Sequence, residues 1–600
     1  MKTIDFKHKL NVNVEQFDKT RKHRFIFGQS FEIYNGSKGL FDYGPVGCAV
    51  KNNLIQAWKQ HFIIEDGMLE IESTCLTPKS VFEASGHCAK FMDTMIQDIT
   101  TNENFRADHL LEDALKQIIE SSEVLVERKT EAEQVLSIIE SLSQQDLDKI
   151  IKDWQIKSPN GNDLSEVFMF NLMFDTCLGP IRRNTNTAYL RPETAQGIFM
   201  NFKRLLDFNG GNLPFAVAQI GLAFRNEIAP RNGLLRVCEF QMAEIEHFCD
   251  PNDKTHLQFD DISDVIVNLF TREQQTGQRK LLVGSIKQAL NDGLIGSQLL
   301  AYYMAKTQLF LESVGVLPEN IRFRQHLAKE MAHYACDCWD AELLTSFGWI
   351  ECVGHADRSC YDLEVHSKCN PNGEQLTVFK HYDQPLINCL EIKPDKGNIG
   401  REFKEHSKVI LETLNNLNQS ELEDLQHKLL QDDVEIAGFT LHSKHIVINK
   451  VEHKQNGRFI FPHVVEPSFG IGRIVFAILE QSFYIRDEDK DRSVLRLSPT
   501  IASVKVIILP LMVKPELQKY VNPIQIMLRK AGISCKAELS GASIGKRYSR
   551  NDEIGIPFAV TIDYDTIKDN TVTVRERDST DQIRVNIDQL VKHLLELLIT

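Results

Sequence analysis

Within residues 222–248, LAFRNEIAPRNGLLRVCEFQMAEIEHF, Arg225 and Glu227 stand two apart, and Arg236, Phe240 and Glu244 share parity further on. Alternate side chains along a strand face the same way. Arg225 and Glu227 would therefore share one face of a first strand. Arg236, Phe240 and Glu244 would share a face of a second, with Val237, Ala243 and Ile245 on the other. Pro230 and Asn232-Gly233 between the runs are turn signals too strong for a helix, so the stretch reads as an antiparallel hairpin. If those faces line a cleft, it offers guanidiniums for phosphate, a ring for a base, and carboxylates for amines or metal. The same spacing fits a solvated hairpin with one polar face equally well.

Two further stretches carry comparable groups. In 189–208, YLRPETAQGIFMNFKRLLDF, Pro192 and Thr194 open a helix with Ile198, Phe199, Phe202, Leu205 and Leu206 on its apolar face and Glu193 at its mouth. In 458–483 a strand bearing Glu466, Pro467 and Ser468 becomes a helix after Gly472, which leaves Arg473 at the helix start, available for phosphate. Gly470-Ile-Gly472 is not a dinucleotide fingerprint, because Val475 stands where the third glycine belongs. GASIGKR at 541–547 is not a P-loop, because it has three residues between its glycines and Arg547 where Ser or Thr is required. Lys546, Arg547 and Arg550, with Arg575 and Arg577, are candidates for contact with an RNA backbone, or else ordinary surface charge. His333, Cys336, Cys338, Cys352, His355 and Cys360 lack paired CxxC spacing, so no structural zinc is expected.

The elements that must position these residues follow from the rest of the 600-residue chain, long enough for two or more domains. An amphipathic helix is expected from Pro45 to Phe62, with Val46, Ala49, Val50, Leu54, Ala57, Trp58 and Phe62 as its stripe, and a strand near 68–72. The segments at about 111–157, 250–320 and 370–446 read as insertions, the first two helical and the third polar and irregular. Beyond the charge run 486–492, β and α patterns alternate to the C-terminus. A net charge of -15 argues against a protein that coats nucleic acid through bulk electrostatics. Thirteen scattered cysteines fit reduced thiols, and neither a signal-peptide core nor an apolar run of membrane length is present. A cytoplasmic protein without membrane attachment is expected, with a mitochondrial form left open.

FRNE, RVCEF and MAEIEHF resemble motif 2 of the class II aminoacyl-tRNA synthetases. The stretch ending in FGIGR resembles motif 3, and the helix from Pro45 resembles motif 1. With RPETAQG and NFRADHLL (104–111), the chain is identified as a member of the glycyl-tRNA synthetase family of eukaryotic and archaeal type. The resemblance implies an α+β catalytic domain over 1–495, an antiparallel sheet with helices interrupted by the three insertions, and an α/β anticodon-binding domain over 501–600. It implies a homodimer that activates glycine with ATP to glycyl adenylate and transfers glycyl to the 3′ end of tRNA(Gly) in protein synthesis. Arg225 and Arg473 become the catalytic pair. ATP falls to Arg225, Asn226, Glu227, Arg236, Val237, Phe240, Glu351, Cys352 and Arg473, with Mg2+ on its phosphates and Glu351 beside the metal. Glycine falls to Arg106, Glu193, Glu244, Glu466, Pro467 and Ser468. Glu246 shares the face of Glu244 but is displaced by roughly 7 Å along the strand, and is expected outside the ammonium site. One departure stands out: Cys238 occupies a place where the family commonly has arginine.

Overall fold

The computed structural model of the chain describes residues 1–121, 126–139, 142–181, 186–228, 233–328, 330–331, 335–386, 389–429, 433–451, 455–487 and 489–599. Pro230, Asn232, Leu125 and His333 lie outside the described residues. Two compact units are present, one formed by 1–376 with 462–600 and one by 377–461.

The larger unit is built on a ten-stranded sheet of β1 (Lys2–Ile4), β2 (Leu69–Ile71), β3 (Phe215–Phe224), β4 (Glu239–Cys249), β5 (Ile266–Phe270), β6 (Leu281–Ser285), β7 (Ile321–Gln325), β8 (Asp337–Thr345), β9 (Gly348–Ser359) and β10 (His463–Gly470). Their order is β1-β6-β5-β7-β8-β9-β10-β4-β3-β2. All neighbours are antiparallel except β2 with β3 and β5 with β7. The expected hairpin is β3 with β4, paired from Phe215↔Phe248 to Phe224↔Glu239.

Alternation divides the central strands. Ala243, Ile245, Val465 and Phe469 enter the main core together with residues of α1 (Pro45–Trp58), α3 (Gln298–Ser313) and α5 (Ile471–Ser482). Glu244, Glu246, Glu466 and Ser468 fall on the opposite face, where α2 (Ala195–Met200) and α4 (Tyr361–Cys369) lie. Pro45 occupies the first turn of α1, where a missing N–H costs nothing. The helix widens into a π-helical segment, Lys59–Ile64. Its stripe packs inward: Val50, Leu54, Trp58 and Phe62 are fully buried, and the Trp58 ring lies 5.6 Å from that of Phe469. Burial of each such side chain contributes roughly 1.5–3 kcal/mol.

The three stretches read as insertions differ from one another. Helices Ala107–Glu120, Val126–Ile138 and Gln144–Asp153 share a small core of Leu111, Leu115, Ala132, Leu147 and Ile151. The 250–320 stretch is not a helical insertion, because β5 and β6 join the main sheet and α3 backs it. Runs of five residues such as IVNLF and LLVGS are too short for periodicity to reveal a strand. The third stretch is not irregular: the 377–461 unit has its own core of Ile399, Ile410, Leu414, Leu422 and Leu441, hidden in the sequence among charged residues.

At the C-terminus, β11 (Val506–Pro510), β12 (Cys535–Ala537), β13 (Phe558–Ile562), β14 (Thr571–Glu576) and β15 (Gln582–Asn586) form a second sheet in the order β12-β11-β13-β14-β15. Strand β11 is parallel to β12 and β13, and the rest is antiparallel. Helices α6 (Val521–Lys530) and α8 (Leu590–Ile599) bury Ile524, Leu528, Leu590 and Leu594 against it, while α7 (Ile544–Asp552) packs with Ile507, Leu509 and Ala559.

Candidate active site

A cleft of about 210 Å³, partly open to solvent, runs across the polar face of β4, β9 and β10. Its lining includes Glu193, Arg225, Glu227, Arg236, Val237, Phe240, Glu244, Glu351, Cys352, Glu466, Ser468 and Arg473.

The open end is held by guanidiniums. Arg225 lies beyond the end of β3, not on it, and Arg236 precedes β4. The ladder ends here: Arg225 N still donates to its in-register partner Cys238 O (2.9 Å), but Cys238 N turns to Gly39 O (2.8 Å), Asn226 N to Leu172 O (2.7 Å), and Arg225 Nε to Pro192 O (3.2 Å). Strand alternation therefore does not govern these residues, which is why Val237 lines the cleft instead of facing away. The Arg225 guanidinium sits 5.4 Å from the centre of the Phe240 ring. Arg236 Nε pairs with Glu227 Oε2 at 2.6 Å. Arg473 Nε donates to Leu235 O (3.1 Å), and its Nη1 to Glu351 O (2.8 Å) and towards Glu351 Oε2 (3.4 Å). The neighbouring glycine matters, since a Cβ on Gly472 would press on Tyr43 Oη at 3.1 Å. Cys352 is buried, which pushes its thiol up to about 12.

The other end is closed and acidic. Glu244, only 1% exposed, accepts from Thr194 N at 2.7 Å, from the Thr194 hydroxyl, and from Ser468 Oγ at 2.8 Å. Glu193 faces His87 Nε2 at 3.2 Å and Gln196 Nε2 at 3.2 Å. Glu466 accepts from Arg358 Nη1, and Arg358 forks onto Asp362 at 2.8 and 3.0 Å. Burial alone would raise the Glu193 carboxyl, but His87 and Arg358 hold it well below the usual range. Burial, reinforced by Glu193, raises Glu244. Burial, with Glu244 and Glu193 adding to it against the pull of Arg358, pushes Glu466 up to about 8. Glu246 is fully buried behind this group.

Several expected residues stand elsewhere. Arg106 does not line the cleft: it pairs with Asp108 at 2.6 Å and with Asp93 at 3.5 Å. Pro467 sits on β10 opposite His355 in register. Arg547 is 1% exposed and donates to Pro510 O (2.7 Å) and Leu511 O (3.0 Å), so its guanidinium is turned into the C-terminal core and away from an RNA backbone. Arg575 is likewise buried on Asp552, and Arg577 on Leu497 O and Gly555 O. Lys546 and Arg550 are exposed, Arg550 lying 3.2 Å from Glu538. Among the described residues no three His, Cys, Asp or Glu side chains converge as a metal site, and His355 is engaged by Thr307 Oγ1 at 2.9 Å.

Sequence reasoning missed Arg358, Asp362, His87 and Thr194. Arg358 and Asp362 were visible as a charged pair four apart in the otherwise largely apolar GWIECVGHADRSCYDL. A buried ion pair is the economical reading of such a pair, but nothing local shows that its third partner is Glu466, 108 residues on.

Two family models match the chain: "tRNA synthetase class II core domain (G, H, P, S and T)" over residues 174–482, and "Anticodon binding domain" over 505–597. A prolyl-tRNA synthetase structure from Cryptosporidium parvum shares the fold at a TM-score of 0.50 and 11% identity, covering 99% of this chain and 78% of that one. Sheet, cleft and C-terminal domain together define a class II aminoacyl-tRNA synthetase. Among curated proteins, a glycine–tRNA ligase of Drosophila melanogaster is 44% identical over 97% of this chain and 77% of its own length. One of Methanocaldococcus jannaschii is 44% identical over 96% and 97%. The chain belongs to the glycine–tRNA ligase family.

Proposed function

We propose that the protein activates glycine with ATP to glycyl adenylate and transfers the glycyl group to the 3′ end of tRNA(Gly). The observation that carries this reading is the polarity of one cleft: Glu193, Glu244 and Glu466 converge at its closed end, and Arg225, Arg236 and Arg473 at its open end. Glycine offers only an ammonium and a carboxylate, and the closed end suits the ammonium, with Ser468 beside the α-carbon. Arg225 would meet the carboxylate and the α-phosphate. Arg236 and Arg473 would take the outer phosphates, Glu227 and Phe240 the adenine, and the backbone of Asn226, Val237 and Cys352 would line the nucleotide. Attack of a carboxylate on a phosphate joins two anions, so placed cations and orientation supply the rate.

Magnesium accompanying ATP would be held chiefly by phosphate oxygens, as this ion commonly is, with Glu351 as its protein ligand. Residues 1–495 would form the catalytic domain and 501–600 the anticodon-binding domain, with Lys546 and Arg550 reaching RNA. Arg106 would approach substrate only by leaving its carboxylate partners. Exposed Phe31, Ile33, Tyr34 and Ile64 support a homodimer, which light scattering at micromolar concentration would detect. No helix among the described residues is long and apolar enough to cross a membrane; a cytoplasmic location is part of the proposal.

Amino-acid-dependent ATP–pyrophosphate exchange across glycine, alanine and serine tests the reading. Exchange with glycine alone is expected. Exchange with serine or alanine but not glycine would overturn the substrate, and no exchange at all would overturn catalysis.

A further inference from the structure

The register of β4 against β10 places two carboxyls face to face. Glu244 pairs with Ser468 and His247 with Val465, so Glu246 falls directly opposite Glu466 on the same face of the sheet. Directly opposed side chains have Cβ atoms about 4.5–5.5 Å apart, and like charges there repel. Both carboxyls are buried, Glu246 completely. Arg358 engages Glu466, whereas neither oxygen of Glu246 has a hydrogen-bond partner among the described residues.

Among the described residues, the surroundings supply no second cation for this pair. Glu244 and Glu193 add negative charge, and Asp362 takes the other edge of Arg358. His355 and His366 are buried, which lowers both to about 4 and leaves them neutral. Tyr303 from α3 is buried and raised, hence also neutral. His87 reaches Glu193. Two carboxylates so placed cannot both ionise in a low-dielectric site.

Building on the proposed ammonium pocket, we propose that Glu246 is a positioning residue which shares one proton with Glu466 in the empty site, and that an incoming ammonium displaces this proton to solvent. The charges support it: burial and the facing Glu466 raise Glu246 well above its ordinary value, as burial raises Glu466 to about 8. An ammonium brings the missing cation, so ionising the pair becomes favourable only when substrate is bound. Protonation of the empty pocket would thereby spare the fold from a cluster of unpaired carboxylates.

Calorimetric titration of glycine into the full-length protein near pH 7, in buffers of different ionisation enthalpy, counts the protons. About one proton released per glycine is expected for the unaltered protein, with the glycine KM falling as pH rises from 6 to 8 and the ATP KM flat across it. Glu246→Gln keeps shape and removes the shared proton, so release should vanish and the glycine KM should lose its pH slope. Glycine binding without proton release, or the same release from Glu246→Gln, would overturn the proposal while leaving the substrate reading intact. Failure of glycine to bind where serine or alanine does would sink both. Infrared spectra of the unaltered protein offer a check that needs no variant: a protonated-carboxyl band should bleach on adding glycine, and a band unchanged by saturating glycine would contradict the mechanism.

Discussion

The two ends of the cleft solve opposite electrostatic problems. At the open end, Arg236 is 44% exposed and Arg473 33%, so water can solvate both; Arg236 pairs with the Glu227 carboxylate, and Arg473 with two carbonyls and the Glu351 carboxylate. At the closed end, Glu244 and Glu466 are withdrawn from water; Glu193, Glu466 and Asp362 share the Arg358 guanidinium, Glu193 also meets His87, and Glu244 rests on Thr194 and Ser468. Exposed charge is cheap and adjustable, whereas buried charge must be balanced residue by residue. On the proposed reading, phosphate recognition would rest on arginines that stay solvated, while ammonium recognition would depend on a network that also holds the fold together.

The largest effect should come from unbalancing the closed end. Arg358→Met removes its buried guanidinium and leaves Glu466 and Asp362 uncompensated, a change that typically costs about 3–5 kcal/mol. Chemical denaturation should show this loss, and an unchanged midpoint would place the balancing charge elsewhere. Next, Arg225→Ala removes the guanidinium proposed to meet the α-phosphate. Exchange turnover should fall by about 10²–10³-fold with little loss of stability. Third, Glu244→Gln would lose the charged hydrogen bond proposed to the ammonium, worth roughly 1.5–3 kcal/mol, so glycine activation should drop about tenfold to more than a hundredfold, through glycine and not ATP. An unaltered glycine dependence would remove Glu244 from the pocket.

The contrast also governs what was legible in the sequence. Motif wording and parity identify Glu244, Glu466, Arg225 and Arg473, because residues of special chemistry at short spacing are local information. Strand alternation succeeds on β4 and β10, where ladders hold the backbone, and fails for Val237, which precedes β4 where the ladder has ended and which lines the cleft instead of facing away. The Arg358 link to Glu466 and the opposition of Glu246 to Glu466 depend on register between separated strands, which no local pattern encodes. Glu246, expected outside the ammonium site, does not line the cleft but lies opposite Glu466. Arg547 failed differently: a basic residue in a helix with a strongly polar face looked solvent-facing, yet it caps carbonyls at the end of β11.

Acid should distinguish the buried side of the molecule from the exposed one. Burial holds His247 at about 3 and His355 and His366 at about 4, against an ordinary 6.5. Between those values the unfolded chain binds protons that the folded protein refuses, so stability must fall as pH drops from 6.5 towards 4. Glu466 runs the other way: its raised value makes the folded state the better proton binder between 4.5 and 8, so its contribution is lost as pH rises through that window. Melting temperatures at pH 5, 6, 7 and 8 should therefore pass through a maximum, and added glycine should raise the pH 8 value more than the pH 6 value. A glycine effect equal at both would separate Glu466 from the ammonium.

The smallest effect belongs to the Arg236–Glu227 pair at the open rim. Because Arg236 is 44% exposed, the pair should contribute no more than about 0–1 kcal/mol to stability, and Arg236→Gln should leave the melting temperature nearly unchanged. If Arg236 takes an outer phosphate, the pair must open when ATP enters, and the variant should raise the ATP KM several-fold, by about 1 kcal/mol, without moving the glycine KM. Salt should mimic the variant, since exposed charges are screened within roughly 8–10 Å, and the Arg236→Gln protein should be less salt-sensitive than its parent. Glu227→Gln provides the reciprocal check. Loss of the carboxylate frees Arg236, so any gain in phosphate binding would appear together with whatever adenine contact is lost. A large drop in stability from either change would mean that the open end is held as tightly as the closed one, and the contrast between them would fail.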